Sequence, residues 1–410
     1  MLVIVSLALL ALAGEPEAED ATWERDGWGW GALPALNYDT DDGFGYGLVG
    51  NLYRYNGKTA PYKTSIHSLV FMTTKRVHIH RLKVDALELA GGPLRLTTRA
   101  ELNAVRTANF CGFGARVTCD PSVASEAADA LGLEGDERDD FERRYYLMRY
   151  VRPNGFVNAR WMLRDAPSKI ELMFGWRGDL LMPGDFAIRG PYEGSLYDET
   201  FPGGGEWGLL SILQAGVMWD SRDNEPAPRR GTWTEVSVRG STIAWGSAWT
   251  HVAGNTTLRG YLPLAPEGRL TFANRLILDA MLGDAPFTEL GQVGGSTVIE
   301  VYGGGGGGRG IRAQRYIGRI KAIETPELRW WFGRLDLGPA FDFTLVAFAD
   351  IGWVAEDWTK LRQLAALPHV GTGGGLRIAM DDNFVVRVDT GFSSVEDWSP
   401  GIYIDIGNLF

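Results

Sequence analysis

The sequence predicts an all-β protein, a transmembrane antiparallel β-barrel of about 16 strands. Three observations predict this fold. Apolar and polar residues alternate along many segments, and after residue 13 no apolar run approaches the roughly 20 residues that a spanning helix needs. The 410 residues also include 54 glycines and 47 aromatic residues, namely 15 Trp, 14 Tyr and 18 Phe. Many turns account for the glycines, and girdles of aromatic rings are typical of barrel strand ends at membrane interfaces.

The N-terminal sequence has the pattern of an export signal. Residues 2–13 are nearly all apolar, and Ala11-Leu12-Ala13 has the small residues of a cleavage site. A buried helix or a membrane anchor is the alternative, but the run is too short to span a bilayer. We therefore expect a signal peptide at 1–13, a short periplasmic segment at 14–27 and the barrel at 28–410.

Alternation is clear in Phe341–Trp353, where one parity is apolar and the other contains Asp342, Thr344 and Asp350. A strand points successive side chains to opposite faces, so one face of this segment is apolar and the other is mixed. Segment 143–164 contains Pro153-Asn154-Gly155 and leaves open whether it forms one strand or two. The sixteen expected strands lie near residues 28–39, 44–55, 62–74, 77–90, 94–108, 143–164, 169–180, 208–221, 232–241, 248–263, 269–281, 327–335, 341–353, 369–380, 384–393 and 401–410.

A soluble β-sandwich would also alternate, so two further features decide the class. The polar faces carry several charges per strand, as a wet lumen tolerates, and aromatic residues such as Trp28, Trp30 and Trp330 gather near strand ends. The pattern changes phase between His78 and His80 on one side and Lys83 on the other. A β-bulge between them would explain the change.

The long connections fall on the outer side when strands are counted from a periplasmic C-terminus. They cover 109–142, 181–207, 282–326 and 353–368, and the third contains the glycine run Gly303–Gly308. The two cysteines of the chain, Cys111 and Cys119, lie in the first. Export and their short spacing predict a disulfide, and two unpaired thiols are the alternative.

Several functions are disfavoured by the sequence. A net charge of −11 argues against nucleic acid as a partner. The glycine run lacks the lysine and the following helix of a phosphate loop. His78 and His80 share a strand face without a visible third metal ligand, and no nucleophile elbow or H-E-x-x-H motif is present. We expect no catalytic residue, no metal and no cofactor.

Five motifs in order resemble the BamA/TamA bacterial surface antigen superfamily of outer-membrane assembly proteins. The likeness is good over 208–410 and loose over 28–207. The motifs are the turn Asp220, Arg222, Asp223, Pro228 and Gly231, the loop tip Arg309-Gly310, the strand Phe348-Ala349-Asp350-Ile351-Gly352, the segment Gly373-Gly374-Gly375-Leu376-Arg377, and the terminal aromatic Phe410.

The resemblance implies that the long loop folds back into the lumen, where Arg309 would meet Glu327 and Asp350. An arginine there is partly desolvated, and pairing with carboxylates offsets this cost. Such a latch would narrow the pore. A solvated arginine in a flexible glycine loop is the alternative.

In that family the first and last strands pair weakly, so that the wall can open sideways. Here Gly407 would weaken the last strand, Pro34 and several glycines interrupt the first, and we expect Phe410 to close the barrel between them. The segment before residue 28 is too short to form even one of the family's periplasmic POTRA domains, so we expect a barrel alone.

The expected location is the outer membrane, in contact with lipid and lipopolysaccharide. The resemblance favours assembly or translocation of unfolded outer-membrane proteins, with a separate POTRA-bearing or periplasmic partner. A passive channel or a structural surface barrel is the alternative.

Overall fold

The computed structural model describes residues 26–39, 43–59, 61–89, 91–117, 119–300, 303–336, 340–366, 368–380 and 384–410. The expected signal peptide at 1–13 and all but the last two residues of the 14–27 segment lie outside them. In these ranges, no helix has the length and apolar character needed to cross a membrane.

Within this part of the chain, sixteen strands form one antiparallel sheet in which each strand pairs with its neighbours in sequence order. The expected all-β class and strand number are confirmed. The wall strands are β1 Asp26–Asp39, β2 Gly43–Asn56, β3 Thr64–Thr73, β4 His78–Leu89, β5 Leu94–Asn109, β6 Leu147–Arg164, β7 Lys169–Pro183, β8 Gly208–Asp220, β9 Gly231–Ser241, β10 His251–Pro263, β11 Leu270–Gly283, β14 Ile320–Asp336, β15 Ala340–Ala355, β16 His369–Met380, β17 Phe384–Phe392 and β18 Gly401–Ile406. Two short strands, β12 Gln292–Val293 and β13 Ile299–Glu300, form a separate ribbon.

The wall has the inverse polarity of a water-soluble domain. On β15, Val346 and Asp350 are buried, whereas Leu345, which precedes Val346 and lies on the opposite face, is exposed. Trp30 on β1 is 73% exposed, while Arg275 on β11 is 1% exposed. An apolar exterior around a charged interior is the arrangement of a transmembrane barrel.

Segment 143–164 forms one strand from residue 147 onward. Pro153 lies opposite Leu102 and Gly155 opposite Ala100 in an unbroken stretch of the β5–β6 register. A Cβ on Gly155 would lie 2.7 Å from the Arg99 carbonyl oxygen, so a glycine is needed for this close strand approach. Pro153-Asn154-Gly155 is therefore part of a strand and not a turn.

The bulge expected between His80 and Lys83 was wrong, because the β3–β4 register is continuous from His78 to Ala86. The irregularity in β4 instead falls between Ala86 and Leu89, against β5. Residues 78–84 keep one alternation, which places both histidines on the face that carries exposed Leu82. The His78 ring centroid lies 5.5 Å from that of Phe186.

The expectation that the last strand reaches Phe410 and closes the barrel there was also wrong. β18 ends at Ile406, and Gly407 has a φ of +98°, a left-handed conformation that favours glycine. The chain then turns into the lumen. Phe410 is buried beside Tyr261 of β10, with 6.2 Å between the ring centroids. Burial of the ring in the lumen replaces pairing with β1.

The outer end of the barrel is covered by its long connections. The loop after β5 contains helices α1 Pro121–Ala130 and α2 Gly135–Arg144, and the loop after β7 contains α3 Leu196–Thr200. Cys111 and Cys119 are joined by a disulfide, with 5.3 Å between their Cα atoms. Short helices α4 Phe287–Leu290 and α5 Gln363–Ala366 lie in the loops after β11 and β15.

Candidate functional site

The candidate site is the lumen, which is occupied by the loop between β11 and β14. We call residues 284–319 the luminal loop. Phe287 near its start and Arg309 near its tip are fully buried. Ile311 and Tyr316 pack against Ile277 and Ile323 of the inner wall. The loop therefore folds back into the barrel, as the sequence resemblance implied.

Arg309 meets the wall at Asp350 of β15. Its Nε lies 2.9 Å from Asp350 Oδ2, its Nη2 lies 2.9 Å from Oδ1, and its backbone N–H donates to Oδ2 at 2.8 Å. This is a bidentate arginine–carboxylate pair, the geometry that gives the strongest charge-assisted hydrogen bonds. The two residues that the sequence singled out are thus in direct contact.

Two more carboxylates face the same guanidinium. Arg309 Nη1 lies 2.9 Å from Glu327 Oε1 and 3.0 Å from Asp389 Oδ2. The Arg309 Cζ also lies 3.4 Å from the ring centroid of Phe348. We call Arg309, Glu327, Asp350 and Asp389 the tip anchor. Asp389 was not among the residues that the sequence singled out.

The excess of carboxylates at the tip anchor is balanced by neighbouring arginines. Arg329 Nη2 lies 2.8 Å from Glu327, and Arg377 Nη1 donates to Asp389 at 2.5 Å. Arg387 Nη1 lies 3.6 Å from Asp389. Buried charges persist where partners of opposite sign compensate their loss of hydration. The lumen wall is thus a network of alternating charge.

Glycines on the wall make room for the backbone of the loop tip. A Cβ on Gly371 of β16 would lie 2.0 Å from the Arg309 carbonyl oxygen, and one on Gly391 of β17 would lie 2.6 Å from the Arg309 carbonyl carbon. Gly310 itself has a φ of +94°. The sequence motif Gly373–Gly375 lies beside this contact. Gly371 and Gly391 were missed, although both share the lumen parity of their strands.

A second anchor holds the loop near its start, and the sequence did not predict it. Glu289 of α4 pairs with Arg177 of β7 and lies 2.9 Å from Arg239 Nε of β9. Arg239 Nη1 also lies 2.7 Å from Asp279 Oδ2 of β11. We call Glu289, Arg177, Arg239 and Asp279 the shoulder anchor. Lys321 Nζ supports it by donating to the carbonyl oxygens of Leu290 at 2.9 Å and Gln292 at 2.6 Å.

The turn motif between β8 and β9 has a structural role. Asp223 Oδ1 accepts hydrogen bonds from three backbone N–H groups, those of Asn224, Arg229 and Arg230, at 2.9 to 3.2 Å. Arg222 pairs with Asp220 at 2.7 Å. Pro228 is buried and Gly231 has a φ of +97°.

This turn also reaches the wall at β4 and β5. Glu225 Oε2 lies 2.9 Å from Arg95 Nη1 of β5, and Arg95 also pairs with Asp85 of β4. The turn therefore extends beneath the lumen at the periplasmic end, opposite the long loops. In the described ranges, no group of three His, Cys, Asp or Glu side chains could hold a metal ion.

Comparisons with known proteins place the chain in a family. The model of the Omp85 superfamily domain matches residues 172–396, more than half of the chain. Among curated proteins no match was found. Three solved structures are similar across 93% of this chain: BamA from Haemophilus ducreyi lacking POTRA domains 1–3, at 14% identity and a TM-score of 0.48, CdiB from Escherichia coli, at 10% and 0.54, and CdiB from Acinetobacter baumannii, at 12% and 0.49.

This chain covers 69% of the BamA chain but only 61% and 60% of the two CdiB chains. At such identities the likeness to CdiB from Escherichia coli shows a shared fold and nothing more. The family assignment comes from the domain match, which spans β7 to β17 and the luminal loop. The resemblance noted in the sequence is therefore confirmed: the chain belongs to the Omp85 superfamily of outer-membrane β-barrels.

Proposed function

We propose that this barrel assembles or translocates other polypeptides at the outer membrane by opening its wall between β1 and β18. The observation that carries the proposal is the state of this seam. β18 has six residues, against nine to 18 for the other wall strands. In the described residues, β18 pairs with β17, and no hydrogen-bonded register joins it to β1.

An unpaired strand edge in a membrane readily forms backbone hydrogen bonds with another strand. Backbone N–H and C=O groups that face lipid without partners cost several kcal/mol each. The side chains at this edge are apolar, with Trp28 and Trp30 on β1 and Ile402 and Ile404 on β18 all more than 60% exposed. A client strand that added to the edge would satisfy the backbone groups by β-augmentation.

The alternative, a passive channel, needs an open lumen. Here the luminal loop is held at two anchors, and the β8–β9 turn reaches across the periplasmic end to Arg95. These contacts support an occluded state at rest. We therefore place the functional opening in the wall, with unfolded outer-membrane proteins as clients and a POTRA-bearing or periplasmic protein as partner.

A covalent bridge across the seam between β1 and β18 tests the proposal. Cysteines are introduced in pairs, one at Ala32 or Leu33 of β1 and one at Ile402 or Ile404 of β18, and are bridged with a short bifunctional thiol reagent. The matched control bridges Val388 of β17 to Ile404, which already face each other in the β17–β18 register. Each variant is expressed in cells depleted of the native protein, and outer-membrane proteins are profiled.

Bridging the seam is expected to lower the levels of other barrels in the outer membrane as far as depletion does. The control bridge should leave them unchanged. If depletion or seam bridging alters only the uptake of small solutes, the proposal is wrong and the protein is a channel.

A further inference from the structure

The segment after β18 leaves the wall and crosses the lumen. We call residues 407–410 the tail. Gly407 N–H still donates to the Val385 carbonyl at 2.7 Å, but Asn408 Nδ2 already donates to the Pro226 carbonyl of the β8–β9 turn at 2.8 Å. Phe410 lies against β10 and β11, far along the sheet from β18. The tail thus links the seam strand to the opposite wall.

The wall receives the tail in a defined site. The Phe410 ring contacts two guanidinium groups, with its centroid 5.1 Å from Arg275 Cζ and 4.8 Å from Arg329 Cζ. Ala273 and Tyr261 complete the contact and are both almost fully buried. We call Tyr261, Ala273, Arg275 and Arg329 the tail site.

The same two arginines recognise the backbone of the tail. Arg275 Nη1 donates to the Leu409 carbonyl at 3.4 Å, and Arg329 Nη2 donates to the Phe410 carbonyl at 3.2 Å. Arg275 and Arg329 therefore contact one aromatic ring and two consecutive backbone oxygens at the same time. This combination is specific to a peptide, because a phosphate or a lipid headgroup has no aromatic face for the cations.

The burial of the Arg275 cation favours the binding of such a segment. It is 1% exposed, and no carboxylate of the described residues forms a salt bridge with it. A buried cation without an anionic partner depends on other electron-rich groups. Its remaining contacts are the Gly306 carbonyl at 2.8 Å and Thr325 Oγ1 at 3.3 Å. The tail supplies a ring and a carbonyl in place of the missing anion.

Through Arg275 the tail also touches the luminal loop. Gly306 belongs to the glycine run that precedes Arg309, so one guanidinium holds both the loop and the tail. Tyr403 of β18 adds a second link, since its hydroxyl accepts a hydrogen bond from Gly310 N–H at 2.9 Å. Withdrawal of the tail would remove a partner from the arginine that holds the loop.

We propose that Tyr261, Arg275 and Arg329 form a luminal binding site for a short peptide segment with an aromatic side chain, and that residues 408–410 occupy it as an intramolecular ligand. The site accepts the same class of segment from another chain when the tail is absent. It is separate from the seam at β1 and β18, so it stands or fails independently of the proposed wall opening.

The first test vacates the site by the substitution Phe410→Gly in the purified full chain in detergent. The probe is a fluorescein-labelled Gly-Asn-Leu-Phe peptide with an amidated C-terminus, and binding is followed by fluorescence anisotropy. The vacated variant is expected to bind the probe at least about tenfold more tightly than the unsubstituted protein, a difference of about 1.4 kcal/mol. A probe with Ala in place of Phe should not bind either protein. Equal binding to both proteins, or none to the variant, overturns the proposal.

A second test keeps Phe410 in place, so that it does not depend on the folding of the vacated variant. Both native cysteines are bonded to each other, so Leu409→Cys introduces a single free thiol. Its maleimide labelling is expected to be slow and to accelerate roughly tenfold when Tyr261→Ala is added, since loss of the ring contact weakens tail docking by about 1.4 kcal/mol. The control, Tyr192→Ala at the outer end, should leave the rate unchanged. Labelling as fast as in the unfolded chain contradicts the proposal.

Discussion

The two anchors of the luminal loop have opposite polarity. At the tip anchor the loop contributes a cation, Arg309, and the wall contributes carboxylates. At the shoulder anchor the loop contributes an anion, Glu289, and the wall contributes arginines. A loop inserted in reverse would place like charges together. The charge pattern of the wall therefore specifies the direction in which the loop inserts as well as its presence in the lumen.

The anchors also differ in how the backbone is held. At the tip, wall glycines allow the loop to lie directly on β16 and β17. At the shoulder, Lys321 donates to two loop carbonyls, and Phe287 packs in an apolar cluster with Phe110 and Tyr197. The tip therefore depends on close backbone contact, whereas the shoulder depends on contacts made by side chains.

Removing the cation at the tip should have the largest effect. Arg309→Ala removes the cation that Asp350, Glu327 and Asp389 share, and breaking a buried pair in this way costs about 3–5 kcal/mol. We expect the tip to leave the wall, which raises single-channel conductance in planar bilayers and exposes the loop to trypsin. The control is Arg312→Ala, because that side chain is 61% exposed and its one ion pair within the described residues is with Glu396 at 3.3 Å. Unchanged conductance would show that the tip anchor does not hold the loop.

Removing the anion at the shoulder should have a smaller effect. After Glu289→Gln, Arg239 keeps its bidentate pair with Asp279, so the loss is about 1–3 kcal/mol, as for a hydrogen bond to a charged group. We expect protease sensitivity near α4 with the tip still docked. Glu267→Gln, on an exposed turn, is the matched control. If both anchors release together in this variant, the loop behaves as one cooperative unit.

Substitution of a wall glycine tests the backbone contact at the tip alone. In Gly371→Ala the new Cβ meets the Arg309 carbonyl, and forcing such an overlap typically costs about 1–3 kcal/mol. Every charge at the tip anchor remains, so we expect partial release, measured as a conductance rise below that of Arg309→Ala. Gly254→Ala serves as the control, since its Cβ would meet nothing within 4 Å. A rise equal to that of Arg309→Ala would mean that close backbone contact is required for the charge pairs.

The sequence predicted what depends on periodicity and on local motifs. Strand positions follow from alternation, which a wall between lipid and lumen enforces at every residue. The tip contact of Arg309 with Glu327 and Asp350 could be predicted because those residues lie in recognisable sequence motifs. Charge pairs such as Glu289 with Arg177 could not be predicted, because they join residues more than a hundred positions apart whose partners are fixed only by the barrel geometry.

The C-terminus shows a different limit of the sequence. Alternation in Gly401–Ile406 favours a strand, and nothing in Asn408-Leu409-Phe410 excludes its continuation. Two things redirect the chain: the left-handed φ of Gly407, and a receptor assembled from β10, β11 and β14. A receptor built from distant strands leaves no local signal.

Solution pH should also distinguish the two anchors. Glu206, in the outer loop before β8, accepts a hydrogen bond from Phe287 N–H at 2.9 Å, directly beside the shoulder anchor. Burial, together with the nearby Asp284 carboxylate, raises the pKa of Glu206 from its usual 4.5 to about 7 and outweighs the hydrogen bond from Phe287 N–H, which lowers it. The docked loop therefore binds this proton more tightly than the undocked loop does.

The sign of the pH effect follows directly. The protonated Glu206 side chain contributes its full share to the free energy of docking at the shoulder below pH 4.5. This contribution is lost as the pH rises toward 7, and the free energy of docking then stays constant at higher pH. We expect chymotrypsin to cleave after Phe287 or Leu290 faster at pH 8 than at pH 5, once each rate is divided by that for an unfolded substrate at the same pH. Trypsin cleavage at the tip, corrected in the same way, should show no such change. Glu206→Gln should abolish the pH dependence, because the amide stays neutral while still accepting from Phe287 N–H. A pH dependence that persists in this variant, or that runs the other way, would assign the sensitivity to a different group.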